Sequence, residues 1–505
     1  MDKKKSVLNV IISILGKVSV LVARLIVRRY LIRCCGNEAN GLNDLYLSIL
    51  GFLAVAELGI GSAITFCMYR PIVEGDSGKV AALFHLLRRL YLAVGGVILL
   101  AGLGLIPFLH HFARDYAQLD VNLYATFALM LISVVITYLF GAETALINAY
   151  KNNYITTAIT SGGMVLQSVL QILALVLTGS FFWYLACRIL AVLAQWGLTR
   201  LLSQRRYPHI TKERTARIDR ETRQQVVRNV KALFMHKIGA LLVNTVDSLV
   251  ISTFIGVILL GKYSNYATVM TALKNLLALC FSSLSSVLGH LYVEQTKQTT
   301  RRYCDTFHLV NFFLGTVFYL GYYAVIDDLV ALLFGADLIL SRSVAMVTAM
   351  NGFVQFLRQT ALTFRDSTGT FYNDRWKPLF EGLTNLVLSV LLVRSIGVTG
   401  VIVATIITNL LICHIVEPYV LYKYAFETSP AKYYARNYSM IAIFFGALLV
   451  LDRTMFRMDS FWRDLLANGF LSVGISLVAC TLALLLYRRS AADALALLKG
   501  REAKS

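Results

Sequence analysis

Apolar stretches of about 20 residues follow one another along almost the whole chain, and they constrain its fold more than any other feature. A run of 18 or more apolar residues is long enough to cross a bilayer as an α-helix. Lipid offers the backbone no hydrogen-bond partners, so only helices and closed barrels span it, and these runs lack the strict alternation of barrel strands. The mean hydropathy of +0.66 agrees with an all-α polytopic membrane protein.

Hydropathy predicts about fourteen transmembrane helices. Their predicted limits are 7–32, 42–68, 83–108, 121–145, 155–177, 181–202, 230–255, 263–291, 308–334, 339–364, 379–396, 398–422, 438–451 and 465–487. With this count, the predicted cytoplasmic segments hold about 28 lysines and arginines and the predicted outer loops about 7, which is the asymmetry of the positive-inside rule. We therefore expect both termini in the cytoplasm of a bacterial cell and the chain in its plasma membrane.

The longest polar segment, 204–228, lies near the middle of the chain and is rich in lysine and arginine. We interpret it as a solvated cytoplasmic linker that is attracted to anionic lipid. A nucleic-acid role is disfavoured because the segment lacks aromatic platforms for stacking bases. The net charge of +20 thus reflects membrane topology rather than a nucleic-acid partner.

A weak internal repeat relates the two halves of the chain at an offset of 220 residues, which aligns Gly36 with Gly256 and Gly41 with Gly261. The offset places the first span on the seventh in the same orientation, which predicts two parallel lobes around a central cavity. The last two spans lie outside the repeat. We expect an N-terminal lobe (1–203), the linker (204–228), a C-terminal lobe (229–423) and a C-terminal helix pair with a cytoplasmic tail (424–505).

Basic side chains occur inside the first span, where a charge costs about 2.5–3.5 kcal/mol on insertion scales. Lys17, Arg24 and Arg28 are spaced by seven and four residues, so they lie within roughly 40° of one another on a helix. Charges placed in this way usually face a cavity or a partner. The alternative is that Lys17 and Arg28 extend toward opposite membrane interfaces.

Further polar groups interrupt other spans and complete the predicted cavity. The candidate substrate-binding residues are Lys17, Arg24, Arg28, Lys237, Asn244, Lys274 and Arg358, and the candidate ion-coupling residues are Glu57 and Asp247. Structural ion pairs, such as Arg24 with Asp247 or Glu57 with Lys274, are the alternative explanation. No metal-type cysteine spacing and no P-loop occurs, so we expect no metal, no cofactor and no ATP hydrolysis.

A cavity dominated by arginine and lysine favours an anionic substrate, because a guanidinium holds phosphate through paired hydrogen bonds. The pyrophosphate of a polyprenyl-linked oligosaccharide has this chemistry, and its lipid tail would remain in the bilayer while the head group crosses. An inside-negative potential drives anions outward by about 2.3 kcal/mol per charge per 100 mV. The sequence therefore predicts a flippase that works by alternating access between two lobes.

Two segments, Asn40–Ile72 and Arg365–Leu411, resemble bacterial polysaccharide flippases of the multidrug/oligosaccharidyl-lipid/polysaccharide superfamily. This resemblance implies two six-helix lobes around a central cavity, two extra C-terminal helices and alternating access. It also implies an undecaprenyl-pyrophosphate-linked repeat unit as cargo, for capsule, exopolysaccharide or teichoic acid synthesis. Arg24 and Asp247 occupy the places of the family's functional cation and acid, but the four-arginine pattern of lipid II flippases is not present.

Several rival functions remain open. A cation-coupled multidrug exporter of the same superfamily would favour an acidic cavity, and a membrane glycan polymerase or ligase would favour acids and histidines on a long outer loop. We expect no enzymatic activity, because the predicted outer loops are short. A scaffold for a glycan-assembly complex is a further alternative. The expected partners are the lipid-linked oligosaccharide, membrane lipids, glycan polymerase and glycosyltransferases, and the expected state is a monomer.

Overall fold

The computed structural model describes residues 3–57, 59–115, 121–212, 224, 226–228, 230, 245–370, 373–456 and 461–488. Within these residues the chain is helical throughout and forms no strand, which confirms the predicted all-α fold. Eight helices of the described part are long and apolar enough to cross a membrane. The chain is a multi-pass membrane protein.

The chain divides into two compact units, Met1–Gly261 and Lys262–Ser505. The helices of unit 1 are α1 Lys3–Leu53, α2 Ile60–Glu74, α3 Ser77–Leu105, α4 Leu109–Phe112, α5 Leu123–Thr137, α6 Gly141–Ala149, α7 Asn153–Thr178, α8 Phe181–Arg206, α9 Pro208–Lys212 and α10 Thr245–Phe254. Helix α11, Val257–Glu294, begins in unit 1 and continues in unit 2.

Unit 2 contains the rest of α11 and the remaining helices. These are α12 Lys297–Leu333, α13 Arg342–Leu357, α14 Gln359–Thr368, α15 Lys377–Thr408, α16 His414–Leu421, α17 Ala431–Thr454 and α18 Phe461–Leu486. One π-helical turn, Asn409–Cys413, separates α15 from α16, and a second, Tyr422–Phe426, follows α16. The described helices overlap all fourteen predicted spans.

Several predicted spans are interrupted rather than continuous. Helix α1 merges the first span with the start of the second across Gly36, which has a φ of 80° that an L-residue with a side chain rarely adopts. The second span is broken again by a 3₁₀ turn, Ala54–Glu57, before α2 begins. Such breaks expose backbone groups inside a membrane and are tolerated where protein or a water-filled cavity surrounds them.

Unit 1 contains a contact that follows the predicted repeat. A Cβ atom on Gly41 would lie 2.1 Å from the carbonyl oxygen of Val257, and one on Gly261 would lie 2.5 Å from the carbonyl oxygen of Asn37. At an offset of 220, Gly41 corresponds to Gly261 and Asn37 to Val257, so the two contacts are equivalent by the repeat. Only glycine permits this close backbone approach.

Hydrogen bonds reinforce this repeat-related contact. The Asn37 side-chain amide donates to the Ile258 carbonyl oxygen at 2.7 Å, and the Asn40 amide donates to the Gly261 carbonyl oxygen at 3.1 Å. The Asp115 carboxylate accepts from the backbone N–H groups of Val257 and Ile258. The start of α11 is therefore held against α1 by both backbone packing and polar contacts.

Candidate functional site

Three helices of unit 1 position a group of arginines. Helix α1 packs along α7, and α7 packs along α8. On α1, the Nη2 atom of Arg28 lies 2.8 Å from the Oδ2 atom of Asp44, and both side chains are mostly buried. The phenol group of Tyr184 on α8 lies near both of them. The structure thus pairs Arg28 with a carboxylate.

Arg188 on α8 joins this group, although the sequence analysis did not select it. It lies close enough to Arg24 and Tyr184 to interact with them electrostatically. Its Nε atom is buried and has no hydrogen-bond partner in the part of the chain that the structure describes. Arg188 lies inside the apolar run 181–202, so the rule that selected Arg24 would also have selected Arg188.

Arg24 is the most exposed member of the group, and its guanidinium lies 3.9 Å from the Sδ atom of Met164 on α7. Arg28 pairs with the carboxylate of Asp44, whereas Arg24 and Arg188 lie close enough to repel one another and form no ion pair with any described carboxylate. We call these four residues the arginine cluster. Its positive excess and its unused donor on Arg188 suit an anion with several oxygen atoms, such as a phosphate group.

Glu57 lies in the 3₁₀ turn between α1 and α2, and two tyrosines lie beside it. The hydroxyl of Tyr91 donates to Oε1 of Glu57 at 3.2 Å, and the phenol of Tyr138 lies near the same carboxylate. A Cβ atom on Gly61 would lie 2.0 Å from the Tyr91 hydroxyl oxygen, so glycine makes room for the phenol. A carboxylate at a helix break is an arrangement that can hold a proton or a small cation.

Unit 2 also contains charged side chains, but there the charges are balanced. Arg358, at the junction of α13 and α14, contacts Oε1 of Glu417 at 2.6 Å through Nη2 and Oε1 of Glu381 at 3.2 Å through Nη1. Lys377 contacts the same two carboxylates at 2.6 and 2.7 Å. The amide oxygen of Asn409, in the first π-helical turn, accepts a further bond from Arg358.

We call Arg358, Lys377, Glu381 and Glu417 the charge network. Its two cations and two carboxylates sum to zero, and the side chain of Glu417 is fully buried. Arg358 forms a two-point contact with Glu417, since Nε also donates to Oε2 at 3.1 Å. The donors of Arg358 are thus engaged by this network, which gives it a different setting from the arginine cluster.

Five candidate residues remain, of which three lie within the described part of the chain. The ammonium of Lys274 donates to the Gln355 side-chain oxygen at 2.7 Å, and Gln355 donates to Asn351 at 3.0 Å, which forms a polar chain within unit 2. Lys17 is exposed on α1, and Asp247 is partly buried on α10. Lys237 and Asn244 lie outside the described residues.

Comparisons with solved structures identify the fold. The chain is similar to the lipid II flippase MurJ in an inward closed conformation, with a TM-score of 0.62 and 12% identity, covering 96% of this chain and 99% of the other. It is also similar to an inward-facing multidrug resistance MATE family transporter of the MOP superfamily, with a TM-score of 0.58, 14% identity and coverage of 80% and 94%.

A third neighbour is a MOP superfamily transporter from Pyrococcus furiosus that has a binding pocket of reverse polarity, with a TM-score of 0.53, 15% identity and coverage of 85% and 97%. These neighbours confirm the predicted fold of the multidrug/oligosaccharidyl-lipid/polysaccharide superfamily. No protein-family model matches the sequence, and no curated protein is significantly similar to it. The likeness is therefore one of architecture, and the chemistry must be argued from the residues.

Proposed function

We propose that this protein is a flippase that moves a polyprenyl-pyrophosphate-linked oligosaccharide from the inner to the outer leaflet of a bacterial plasma membrane. The product would serve capsule, exopolysaccharide or teichoic acid synthesis. The observation that carries the proposal is the arginine cluster, in which Arg24 and Arg188 lie close to one another beside the Arg28–Asp44 pair and form no ion pair with any described carboxylate. Three guanidinium groups of this kind match the several oxygens of a pyrophosphate.

The charge excess supplies the driving force for recognition. Arg24 and Arg188 repel one another, and an anion between them would relieve that repulsion. The buried Nε of Arg188 would gain the hydrogen bond that it lacks. We place Arg24, Arg28 and Arg188 at the pyrophosphate and assign Arg358 to the stability of unit 2, because its charge is already balanced.

Glu57 is our candidate for ion coupling. Its place at a helix break beside Tyr91 and Tyr138 supports uptake of a proton or sodium ion during the transport cycle. Asp247 stays a candidate for the same role on α10. Alternating access would carry the head group past the membrane while the lipid tail stays in the bilayer.

The rival function is a cation-coupled multidrug exporter, because one structural neighbour is a multidrug resistance MATE family transporter. A cationic drug would be repelled by Arg24 and Arg188, which form no ion pair with any described carboxylate. The Pyrococcus furiosus neighbour is a transporter of this fold with a pocket of reverse polarity, so the fold does not fix the sign of the cargo. The arginine cluster therefore favours an anionic cargo for this chain.

Substitution of the arginines in cells that depend on this protein for glycan export tests the proposal. We expect Arg24→Ala and Arg188→Ala each to lower export at least tenfold and to cause a complete lipid-linked repeat unit to accumulate on the cytoplasmic leaflet. Arg70→Ala is the matched control, because Arg70 is exposed on α2 and pairs across one helical turn with Glu74. Normal export with Arg188→Ala would contradict the assignment, and accumulation on the outer leaflet would indicate a polymerase instead.

A further inference from the structure

Unit 2 contains a cavity of about 450 Å³ between the start of α15 and the π-helical turn that leads into α16. Trp376, Phe380 and Thr384 line one side at a spacing of four residues, which places them on one helix face. Ile412 and Val416 line the other side. The volume falls in the range that holds a small ligand or a single hydrocarbon chain.

The cavity extends from a polar end to an apolar end. The predicted eleventh span begins at Leu379, which would place Asn373 and Asp374 at the depth of the lipid head groups and Thr384 deeper in the bilayer. Trp376 and Phe380 are 52% and 61% exposed, so unit 2 leaves much of both rings uncovered. Tryptophan is enriched at this depth because one edge of the ring is polar and the rest is apolar. The cavity thus has the polarity profile of one lipid molecule.

Asp374, at the polar end, has one unused oxygen atom. Its Oδ2 atom accepts from Nη1 of Arg365 at 2.6 Å, whereas its Oδ1 atom is buried and has no hydrogen-bond partner in the described part of the chain. Burial alone would lower the pKa of Arg365, but the carboxylates of Asp374 and Asp366 raise it above its usual value. An unpartnered buried acceptor costs about 1–3 kcal/mol, which a donor in the cavity would recover.

The charges around the cavity exclude a head group that has only a phosphate. Lys377 also lines the cavity, but its ammonium is held between Glu381 and Glu417. Asp374 would repel a pyrophosphate or an anionic lipid. A head group that carries a primary ammonium has the donor that Oδ1 of Asp374 lacks.

We propose that this cavity binds a phospholipid of the phosphatidylethanolamine class. Its ammonium donates to Asp374, its glycerol region lies beside Trp376, and one acyl chain runs along Phe380 and Thr384 toward Ile412. This lipid is distinct from the transported cargo, which the arginine cluster of unit 1 would recognise. The lipid would fill the space between α15 and α16 next to the charge network, and it would stabilise unit 2.

Thermal unfolding of the purified full-length protein in detergent micelles tests the proposal when phosphatidylethanolamine, phosphatidylcholine or phosphatidylglycerol with identical acyl chains is added. We expect phosphatidylethanolamine to raise the Tm by several degrees more than either other lipid. Phosphatidylcholine is the sharp comparison, because its quaternary ammonium has the same charge but no N–H donor. Equal shifts with these two lipids, or the largest shift with phosphatidylglycerol, would overturn the proposal.

A pair of variants locates the effect. Thr384→Trp adds a bulky ring to the cavity lining without replacing a charged residue, and we expect it to abolish the difference between phosphatidylethanolamine and phosphatidylcholine. Leu391→Trp is the matched control, because Leu391 lies on the same helix, is 60% exposed and does not line the cavity. A difference that persists in Thr384→Trp would place the lipid elsewhere and refute this site. Neither result depends on the flippase activity.

Discussion

The arginine cluster of unit 1 and the charge network of unit 2 use the same residue type in opposite ways. Arg358 meets Glu417 through two contacts and Glu381 through a third, so its charge is matched within the protein. Arg188 has a buried nitrogen atom that finds no hydrogen-bond partner among the described residues, and a second arginine lies beside it. Burial of an unmatched cation lowers the stability of a membrane protein, so such a cation is expected to have a function.

The comparison separates stability from function. The charge network is neutral, and removal of any one member would leave a buried charge without its counterion. Within the arginine cluster, Arg24 and Arg188 form no ion pair with a described carboxylate, so removal of either one leaves no described carboxylate unpaired and relieves repulsion. We therefore expect substitutions in the two regions to give opposite results: loss of folded protein in unit 2, and loss of transport with little loss of stability in unit 1.

The largest effect is expected from Arg358→Met, which leaves Glu381 and Glu417 with only Lys377 between them. Breaking a buried ion pair in this way costs about 3–5 kcal/mol. Thermal or denaturant unfolding of the protein in detergent micelles measures the loss. Arg70→Met, which breaks the exposed pair with Glu74, is the control and should cost less than about 1 kcal/mol. A loss for Arg358→Met as small as that of the control would show that the network does not hold unit 2 together.

The sequence predicts the positions of the helices and the internal repeat better than it predicts the partners of charged residues. Hydropathy predicts where helices lie, because a span needs only length and apolar composition. The offset that aligned Gly41 with Gly261 predicted a repeat, and the structure shows equivalent close contacts at both glycines. These features depend on local sequence or on glycine's small size, and both are visible without coordinates.

Partners of charged residues were harder to predict. Asp44 and Glu417 were not selected from the sequence, although they neutralise Arg28 and contribute to neutralising Arg358. Pairing depends on how neighbouring helices are rotated, and a hydropathy profile does not contain that rotation. Arg188 is different, because a cation inside an apolar run is visible in the sequence and was overlooked there.

An increase in stability of intermediate size is expected when inorganic pyrophosphate is added to the purified protein. A ligand that binds only the folded state stabilises it, by about 2.7 kcal/mol when its free concentration is one hundred times its Kd. We expect pyrophosphate to raise the Tm of the natural protein and of Arg70→Met, and to have little effect on Arg188→Met. Sodium chloride at equal ionic strength controls for screening.

The outcome of that titration would sharpen the contrast between the two regions. Stabilisation that survives in Arg188→Met would mean that pyrophosphate binds outside the arginine cluster. Stabilisation by sodium chloride equal to that by pyrophosphate would reduce the effect to general screening of the net charge. Either result would remove the physical support for an anionic cargo while leaving the fold unaffected.

The smallest expected effect is the change in the free energy of unfolding caused by Arg188→Met. Methionine keeps much of the apolar volume of the arginine stem, no described carboxylate loses a hydrogen bond, and the repulsion with Arg24 disappears. The free energy of unfolding should therefore change by less than about 1 kcal/mol, with an increase favoured. Unfolding in detergent without added anion measures it. A loss of stability as large as that of Arg358→Met would mean that Arg188 stabilises the fold. The arginine cluster would then resemble the charge network, and its assignment to transport would lose its support.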